Sequence, residues 1–303
     1  MPSLEDARLA LEGLSVGDAF GENFFHFPKD SLGQRIERRE LPESQWRYTD
    51  DTNMALSIYC LLRKKGEIDQ DTLAISFAAH YDPERKYGAG AGRLLRQIGT
   101  KGHWWREASH ELFGGQGSFG NGAAMRVAPV GGYYADDIEQ VVTLATQTSE
   151  VTHAHPEGIA GGIAVAVAVA MASRLRGSPP PMRQAFIEMV LPHVPESEVK
   201  SGLRRACEIQ SNQVAHASQM LGNGLLISAQ DTVPFCVWCA GAYLSNYEEA
   251  LWQTASVYGD IDTNCAIVGG IVASYVGQAG IPVEWIQHRE PLPEWAVGVE
   301  NIG

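Results

Sequence analysis

The least polar stretch of this 303-residue chain is Gly158 to Ser173, GIAGGIAVAVAVAMAS. It is too short and too rich in alanine and glycine to span a bilayer comfortably. A helix that is apolar on every side is typical of a protein core, where small residues let neighbouring helices approach closely. We therefore predict a helix that is buried on all sides, and no association with a membrane.

Helical patterns continue on both sides of this stretch. Sustained alternation of β-branched or aromatic residues with polar ones is missing from the sequence, so strands are not expected. Apolar residues recur at helical spacing over 4–20, 51–65, 71–81, 89–99, 122–128, 136–149, 155–175, 182–191, 198–211, 214–221, 231–244, 246–257, 263–277 and 282–287. The sequence therefore predicts an all-α fold.

One segment resembles a domain linker. Gly177 to Pro181, GSPPP, is rich in helix-breaking residues, but apolar helical patterns continue on both sides without a change in composition. The chain also lacks a repeat of solenoid length. We predict one compact multi-helix domain over residues 1–303.

Charge and cysteine content narrow the class of protein. The net charge of −13 and the pI near 5.1 argue against a nucleic-acid surface, which needs clustered Lys and Arg. The first residues, MPSLEDARLALEGL, lack the basic start and apolar core of a signal peptide, so we expect a cytoplasmic protein. Five scattered cysteines indicate reduced thiols, and we interpret Cys236 and Cys239 as core residues. Nothing in the sequence predicts the oligomeric state.

Two distant stretches share an acidic pattern. Thr49 to Leu56 is TDDTNMAL and Asp260 to Ile267 is DIDTNCAI. Asp, Thr and Asn commonly cap helices, and we interpret Asp71-Thr72 and Asp231-Thr232 as ordinary caps of this kind. The two quoted stretches carry more acids than a cap requires, which suggests an additional role.

A glycine-rich stretch precedes a short helical pattern. Gly114 to Gly122 is GGQGSFGNG, and its exposed backbone N–H groups could cradle phosphate oxygens or could belong to a flexible loop. Gly115, Gly117 and Gly120 also match the GxGxxG pattern of dinucleotide-binding folds. We reject that match because the preceding residues, REASHELF, do not form a strand pattern.

Two histidines occur in Thr152 to His155, THAH. Residues two apart cannot share one helix face, so we do not expect both histidines to bind the same metal ion. A single imidazole donating to a phosphate or ribose oxygen is one interpretation of His153. The alternative, for His153 and still more for His155, is a histidine satisfied at a helix end.

Together these motifs resemble the ADP-ribosylglycohydrolases, a family that includes the dinitrogenase-reductase-activating glycohydrolase and the arginine- and serine-directed ADP-ribosyl hydrolases. The resemblance covers nearly the whole chain, in the family's order. It rests on Gly13-Leu14, Gly17 to Gly21 (GDAFG), Tyr48 to Thr52 (YTDDT), Gly88 to Gly90, Gly117 to Arg126, Thr152-His153 and Gly259 to Thr263.

The resemblance implies an all-helical fold with two Mg²⁺ ions, for which Mn²⁺ could substitute, at the bottom of a central cleft that holds ADP-ribose. The residues that match the family's metal ligands are Thr49, Asp50, Asp51, Asp260, Asp262 and Thr263. Carboxylate and hydroxyl oxygens are hard ligands suited to Mg²⁺, which supports this assignment independently.

The implied activity is hydrolysis of the bond between the distal ribose of ADP-ribose and an acceptor, either on a protein or on a small molecule. Nearby carboxylates would stabilise the oxocarbenium-like transition state. Asp262 or Glu22 would accept the proton of the attacking water, with Asp260 also at the reacting centre. The residues expected to hold the pyrophosphate and ribose are Gly117, Ser118, Phe119, Gly120, Asn121 and His153.

One position departs from the family pattern. Relatives usually carry a glutamate eight residues after the glycine that matches Gly17, and this chain has Phe25 there. Glu22 is the acid nearest to that position, and we expect it to have taken over the role. The acceptor, whether arginine, serine, a nucleotide or a free small molecule, is left open.

Two other functions are compatible with the same residues. The first is a catalytically silent ADP-ribose-binding or structural protein, as the family's lens J1-crystallins illustrate. The second is a metal-dependent phosphohydrolase of an ADP-ribose derivative. The metal ligands argue against a silent protein, and the missing glutamate argues for it.

Overall fold

The computed structural model describes residues 1–101, 104–210 and 212–298. Within these ranges the chain is helical and contains no strand, which confirms the all-α prediction. The helices are α1 (Leu4–Glu22), α2 (Lys29–Glu37), α3 (Asp50–Lys65), α4 (Gln70–Ala79), α5 (Ala89–Lys101), α6 (Trp105–Gly115), α7 (Ala128–Tyr133), α8 (Ile138–Glu150), α9 (Pro156–Leu175), α10 (Arg183–Val190), α11 (Glu198–Glu208), α12 (Val214–Leu221), α13 (Ala229–Ala242), α14 (Tyr247–Ala255), α15 (Ile261–Val276), α16 (Val283–His288) and α17 (Glu294–Val297).

Several helices of the structure differ from the predicted ones in their bounds or in their type. The predicted helix over 122–128 is a 3₁₀ turn, Asn121–Arg126, followed by α7. Helices α2, α6 and α17 were not predicted, and neither was α7 beyond its first residue. The last residue of the predicted helix 198–211 and the final five residues of the predicted domain lie outside the described ranges.

Helix α9 lies in the core, as predicted. Its residues from Ala160 to Ala172 are almost completely buried. The helix is long and apolar enough to cross a membrane by length and composition, but most of it is buried inside the protein. Its alanines and glycines allow close contacts, so that a Cβ added to Gly161 would lie 2.8 Å from the Cβ of Ala229 on α13.

Helices α1 and α15 run antiparallel with their backbones in contact. A Cβ on Gly13 would collide with Ala273 and the carbonyl oxygen of Gly269, and a Cβ on Gly17 would collide with the carbonyl oxygen of Cys265. At the end of α1, a Cβ on Gly21 would lie 2.6 Å from Cα of Asp262. The C-terminal end of α1 therefore meets the N-terminal end of α15.

Helix α3 begins at the same place. Asp18 of α1 is completely buried and accepts hydrogen bonds from the backbone N–H of Thr49, at 2.9 Å, and of Thr52, at 3.0 Å. A carboxylate that accepts backbone N–H groups at a helix start stabilises that start. The N-terminal ends of α3 and α15 therefore lie side by side.

The two predicted ordinary caps are wrong in detail. Helix α4 is capped by Asp69, whose Oδ1 accepts from the backbone N–H of Thr72 at 2.8 Å, whereas Asp71 accepts a hydrogen bond from the indole of Trp105. Ser228 is the residue before α13, and Asp231 instead accepts the backbone N–H of Leu226 at 2.9 Å. Each acid lies in the first turn of its helix, where Asp71 links α4 to α6 and Asp231 holds the loop before α13.

Candidate active-site cleft

A cleft of about 530 Å³ opens where the N-terminal ends of α3 and α15 meet. Five of the six predicted metal ligands line it, and Thr49 lies directly behind Asp51. Other parts of the wall come from the start of α5, the turn after α6, the segment before α9 and the loop before α13. The lining residues used below are Asp50, Asp51, Lys86, Phe113, Ser118, Phe119, Gly120, Asn121, Gly122, His153, Leu226, Ile227, Asp260, Asp262 and Thr263.

The hydroxyl group of Thr49 lies within hydrogen-bond distance of two carboxylates, those of Asp18 and Asp51. Oγ1 of Thr49 lies 2.9 Å from Oδ1 of Asp18 and 2.9 Å from Oδ2 of Asp51. A threonine hydroxyl has one hydrogen and can donate to one of these oxygens at a time. Two carboxylates thus compete for one proton, which leaves this corner of the cleft with excess negative charge.

The second acidic stretch is held by neighbouring polar groups. The amide of Asn121 donates to Asp260 at 2.7 Å, and the backbone N–H of Thr263 donates to Asp262 at 2.9 Å. The side chain of Asn264 donates to the carbonyl oxygen of Asn223, at 2.7 Å, and so holds the loop that precedes α13. Asp260 and Asp262 are therefore fixed while part of each carboxyl faces the cleft.

Burial and mutual repulsion make the carboxyl groups weak acids in the absence of a cation. Burial, followed by the charge of Asp18, raises the pKa of Asp50 to about 8. The same two causes raise the pKa of Asp51 well above its usual value, and burial followed by the charge of Asp260 does so for Asp262. Burial raises the pKa of Asp260, and that of Asp18 to about 6. Charged carboxylates at these positions would need a compensating cation.

The donor set suits a hard divalent ion. Among the described residues, no three His, Cys, Asp or Glu side chains converge as a ready-made metal cluster. However, Oδ1 of Asp51 is buried and has no hydrogen-bond partner in the described part of the chain. Mg²⁺ typically keeps several waters and takes one or two carboxylates, so it does not require such a cluster. The oxygen-only set, with one unpaired buried oxygen, fits Mg²⁺ better than zinc.

The glycine-rich turn forms one wall of the cleft, with one exception. Ser118, Phe119, Gly120 and Asn121 face the cleft, whereas Gly117 does not. Gly117 has a φ of +77° and packs against the backbone of His155, which a Cβ would approach to 2.7 Å. Helix α6 precedes the turn, so the rejection of a dinucleotide-binding fold is confirmed for this stretch.

The amide of Asn121 is used inside the protein. It donates to Thr232 at 3.1 Å as well as to Asp260. Contacts to a phosphate from this turn would therefore come mainly from the backbone and from Ser118.

His153 faces the cleft as a neutral imidazole. It is 7% exposed, and burial, with a smaller effect from the charge of Arg126, lowers its pKa to about 3. Its Nδ1 lies 2.7 Å from Oγ1 of Thr152. If Thr152 donates this bond, Nε2 carries the hydrogen and can donate to a ligand beside Gly120 and Gly122.

His155 is the helix-end histidine that the sequence suggested. Its Nδ1 accepts the backbone N–H of Glu157 at 3.1 Å, and its ring packs against that of Phe119.

Glu22 is buried and is not among the described residues that line the cleft. Its Oε1 pairs with Nζ of Lys86, and lies 3.0 Å from Nε2 of His26. Its Oε2 is buried without a hydrogen-bond partner in the described structure. Phe25, where relatives carry a glutamate, is 48% exposed. Glu22 thus lies one layer behind the cleft surface, with Lys86 in front of it.

Three features of the site were missed at the sequence level. Asp18 belongs to the quoted GDAFG motif, which could have identified it, but its role in holding Thr49 depends on packing. Lys86 carried no signal. Phe113 lies at a break in α6 with a φ of +52°, and its ring is 5.2 Å from that of Phe119, so that two aromatic rings stand beside the cleft.

The similarity to known proteins extends over nearly the whole chain. The family model described as ADP-ribosylglycohydrolase matches residues 2–300. The chain is 29% identical over 289 residues to ADP-ribosylhydrolase ARH3 of Mus musculus, covering 84% of this chain and 76% of that protein. It is 24% identical over 299 residues to ADP-ribosylarginine hydrolase Tri1 of Pseudomonas putida (strain GB-1), covering 94% and 74% of the two chains.

A solved structure shares the fold. The chain of an "ADP-ribosylglycohydrolase-related protein complex" aligns with a TM-score of 0.65 and 23% identity, covering 95% of this chain and 93% of that one.

Proposed function

The chain belongs to the ADP-ribosylglycohydrolase family and is a hydrolase, and from this premise we propose that it cleaves the glycosidic bond between ADP-ribose and an acceptor with the help of Mg²⁺. One observation carries the proposal. Two acid pairs that are far apart in the sequence face one cleft, which is also lined by a glycine-rich turn and a neutral histidine. These groups match the parts of the proposed ligand: a distal ribose and a pyrophosphate.

The residues that would hold Mg²⁺ are Thr49, Asp50, Asp51, Asp260, Asp262 and Thr263. When bound, Mg²⁺ would supply positive charge that holds ribose hydroxyls and polarises the reacting centre. The unpaired Oδ1 of Asp51 and the hydroxyl shared by Asp18 and Asp51 support this assignment, because a cation relieves both features.

The pyrophosphate would lie along the glycine-rich turn. Ser118 and the backbone of Gly120 face the cleft there, and Nε2 of His153 would donate to a phosphate or ribose oxygen. A neutral histidine suits this role because it donates one hydrogen bond without needing a proton from solution. The adjoining rings of Phe113 and Phe119 would take the adenine face.

In the reaction, water attacks the anomeric carbon of the distal ribose and the bond from that carbon to the acceptor breaks. Asp262 accepts the proton that the water loses, and the acceptor atom takes up one proton from solvent as it leaves; Asp262 then returns its proton to solvent, so that one water is consumed and no net proton is gained. The carboxylates of Asp260 and Asp262 stabilise the positive charge that develops on the sugar. Glu22 would assist proton transfer once its contact with Lys86 loosens.

Product analysis tests the proposal. Purified protein is incubated with ADP-ribosylated peptides and small molecules in Mg²⁺ or in excess chelator, and the products are identified by mass spectrometry. Free ADP-ribose, released with Mg²⁺ and lost in chelator, is the expected result. Inorganic phosphate would identify a phosphohydrolase instead, and tight ADP-ribose binding without product would identify a silent binding protein. Full turnover in chelator would contradict the metal requirement.

A further inference from the structure

Lys86 stands at the cleft surface, and the reaction described above gives its ammonium group no role beyond pairing with Glu22. Among the described residues that line the cleft, it is the only Lys or Arg. Its backbone is left-handed, with a φ of +64°, a conformation that favours glycine over residues with a Cβ. A non-glycine residue persists in such a conformation when its surroundings fix it, and positions of this kind concentrate at functional sites.

The residues on both sides of Lys86 fix it. Arg85 pairs with the carboxylate of Glu290 and donates to the carbonyl oxygen of Tyr48 at 2.8 Å. On the other side, the hydroxyl of Tyr87 accepts a hydrogen bond from the amide of Asn53 at 2.8 Å. Because both neighbours are anchored to the segment that carries Asp50 and Asp51, Lys86 is held at a constant position relative to the acid cluster.

The ammonium group of Lys86 covers Glu22. The ion pair between Nζ and Oε1 of Glu22 places the lysine between a buried carboxylate and the cleft, and the lysine side chain is 48% exposed there. The centroid of the Phe25 ring lies 5.8 Å from Nζ, so the ammonium group also contacts an aromatic ring. An incoming ligand would therefore meet a positive charge before it meets Glu22.

We infer the acceptor end of the cleft from two contacts. Gly21, next to Glu22, packs on the backbone of Asp262, whereas Asn121 of the glycine-rich turn bonds to Asp260. If the pyrophosphate follows the glycine-rich turn, the group attached to the distal ribose points away from that turn. It would then leave past the pair of Glu22 and Lys86.

We propose that Lys86 determines acceptor specificity, by excluding a cationic guanidinium acceptor and admitting an uncharged acceptor linked through a hydroxyl oxygen. This inference rests on the proposed function. Glu22 alone would attract a guanidinium group, and Lys86 removes that attraction and adds a repulsion between like charges.

The test compares two peptides of the same sequence that carry ADP-ribose on a serine or on an arginine. The wild-type protein is expected to favour the serine-linked peptide in kcat/KM. The K86M variant should raise the ratio of arginine-linked to serine-linked kcat/KM by about tenfold or more, because it removes the like charge that a guanidinium acceptor would meet at the cleft surface. The K86R variant, which keeps the charge, should retain the wild-type ratio.

Two controls separate specificity from structure. K200M removes another lysine that pairs with a glutamate, Glu196 at 3.0 Å, away from the cleft, and should leave the ratio unchanged. Added salt should narrow the difference between wild type and K86M, since it screens a charge effect and would not change a packing effect.

An unchanged ratio in a K86M protein that still binds ADP-ribose overturns the inference, as does a wild-type preference for the arginine-linked peptide. Wild-type protein that releases ADP-ribose from neither peptide, nor from any other ADP-ribosylated substrate, overturns the proposed function and this inference with it. The outcomes are distinguishable because the first two require an active wild-type enzyme.

Discussion

Glu22 has two carboxylate oxygens with different surroundings. Oε1 has both partners, Lys86 and His26, while Oε2 is buried without a hydrogen bond in the described structure. An unpaired buried oxygen is unfavourable, so its retention suggests that it serves a ligand or a proton. Gly21, the residue before Glu22, packs against the backbone of Asp262, so the backbone of Glu22 lies beside the acid cluster.

We predict that Glu22→Gln lowers kcat by on the order of a hundredfold, with ADP-ribose affinity nearly unchanged, because it removes acid/base assistance and keeps the shape of the side chain. Steady-state kinetics and calorimetric ADP-ribose binding measure the two effects. Wild-type turnover in this variant would show that Glu22 has no part in the reaction. Phe25→Ala is the matched control, since a 48% exposed ring three residues away should affect the rate far less.

The lowered pKa of His153 makes the free energy of unfolding depend on pH. Its pKa falls from 6.5 to about 3 on folding, because burial disfavours the charged ring. The unfolded chain therefore binds a proton below pH 6.5 that the folded chain does not bind. The contribution of a neutral His153 is complete above pH 6.5 and is lost as the pH falls towards 3.

We predict that the free energy of unfolding of the wild type falls relative to that of the His153→Gln variant as the pH drops below 6.5. The relative loss should be up to about 1.4 kcal/mol per pH unit. Urea unfolding of both proteins at pH 7.5, 6.0 and 5.0 measures this difference, and other titrating groups cancel between them. A difference that stays constant with pH would mean that His153 titrates normally in the folded protein.

At the scale of elements, contact between α1 and α15 sets the geometry of the site. Gly13, Gly17 and Gly21 follow one face of α1 and each meets the backbone or a small side chain of α15. This spacing of four is visible in the sequence, where we used these glycines for the family resemblance and made no packing prediction from them. The glycines on this face let α1 and α15 pack closely. Larger side chains there would separate the helix ends that carry Glu22 and Asp262.

Gly13→Ala should lower the free energy of unfolding by about 1–3 kcal/mol, because the added methyl group collides with Ala273 and Gly269. Urea denaturation measures the loss. Gly99→Ala is the control: Gly99 is in α5, where the nearest contact of an added Cβ is 3.9 Å, so alanine should be stabilising by about 0.5–1 kcal/mol. Equal stability of the Gly13 variant and the wild type would show that the two helices can separate without loss.

For the whole molecule, we propose that the acid cluster makes the free energy of unfolding depend on a bound cation. Asp51 and Asp262 come from helices that are distant in sequence, and both have a pKa raised well above the usual value by burial and by neighbouring acids. A bound divalent cation stabilises the folded state by mass action, by about 2.7 kcal/mol at a hundredfold excess over its Kd.

Mg²⁺ should therefore raise the Tm of the wild-type protein, and chelator should reverse the change. Asp51→Asn should raise the Tm of the metal-free protein, since it removes the cost of burying a carboxyl group among other acids, while it abolishes both the Mg²⁺ shift and turnover. Scanning fluorimetry with and without chelator measures these effects. A full Mg²⁺ shift in the variant would place the cation elsewhere.

Asp262→Asn should behave in the same way, and the double variant should lose little more activity than either single one, as expected for residues that act as a unit. Losses that simply multiply would indicate two independent sites.

The sequence alone determined the features that local chemistry encodes. Helical spacing of apolar residues gave the all-α class, and the all-apolar pattern of Gly158 to Ser173 gave the buried helix, because periodicity is a property of a few neighbouring residues. The acids of both stretches also stand at helix starts, as their capping residues indicated. Motif order over the whole length supported the family assignment.

Tertiary structure decided which groups meet. Asp18 holds the start of a helix that begins over thirty residues later. Asp71 accepts a hydrogen bond from Trp105 of α6, and Gly117 packs against the backbone of His155 instead of lining the cleft. The covering of Glu22 by Lys86 depends on anchors at Glu290 and Asn53. Capping and periodicity act within about one helical turn, whereas these contacts form only after elements that are distant in the sequence pack together, so no local pattern could specify them.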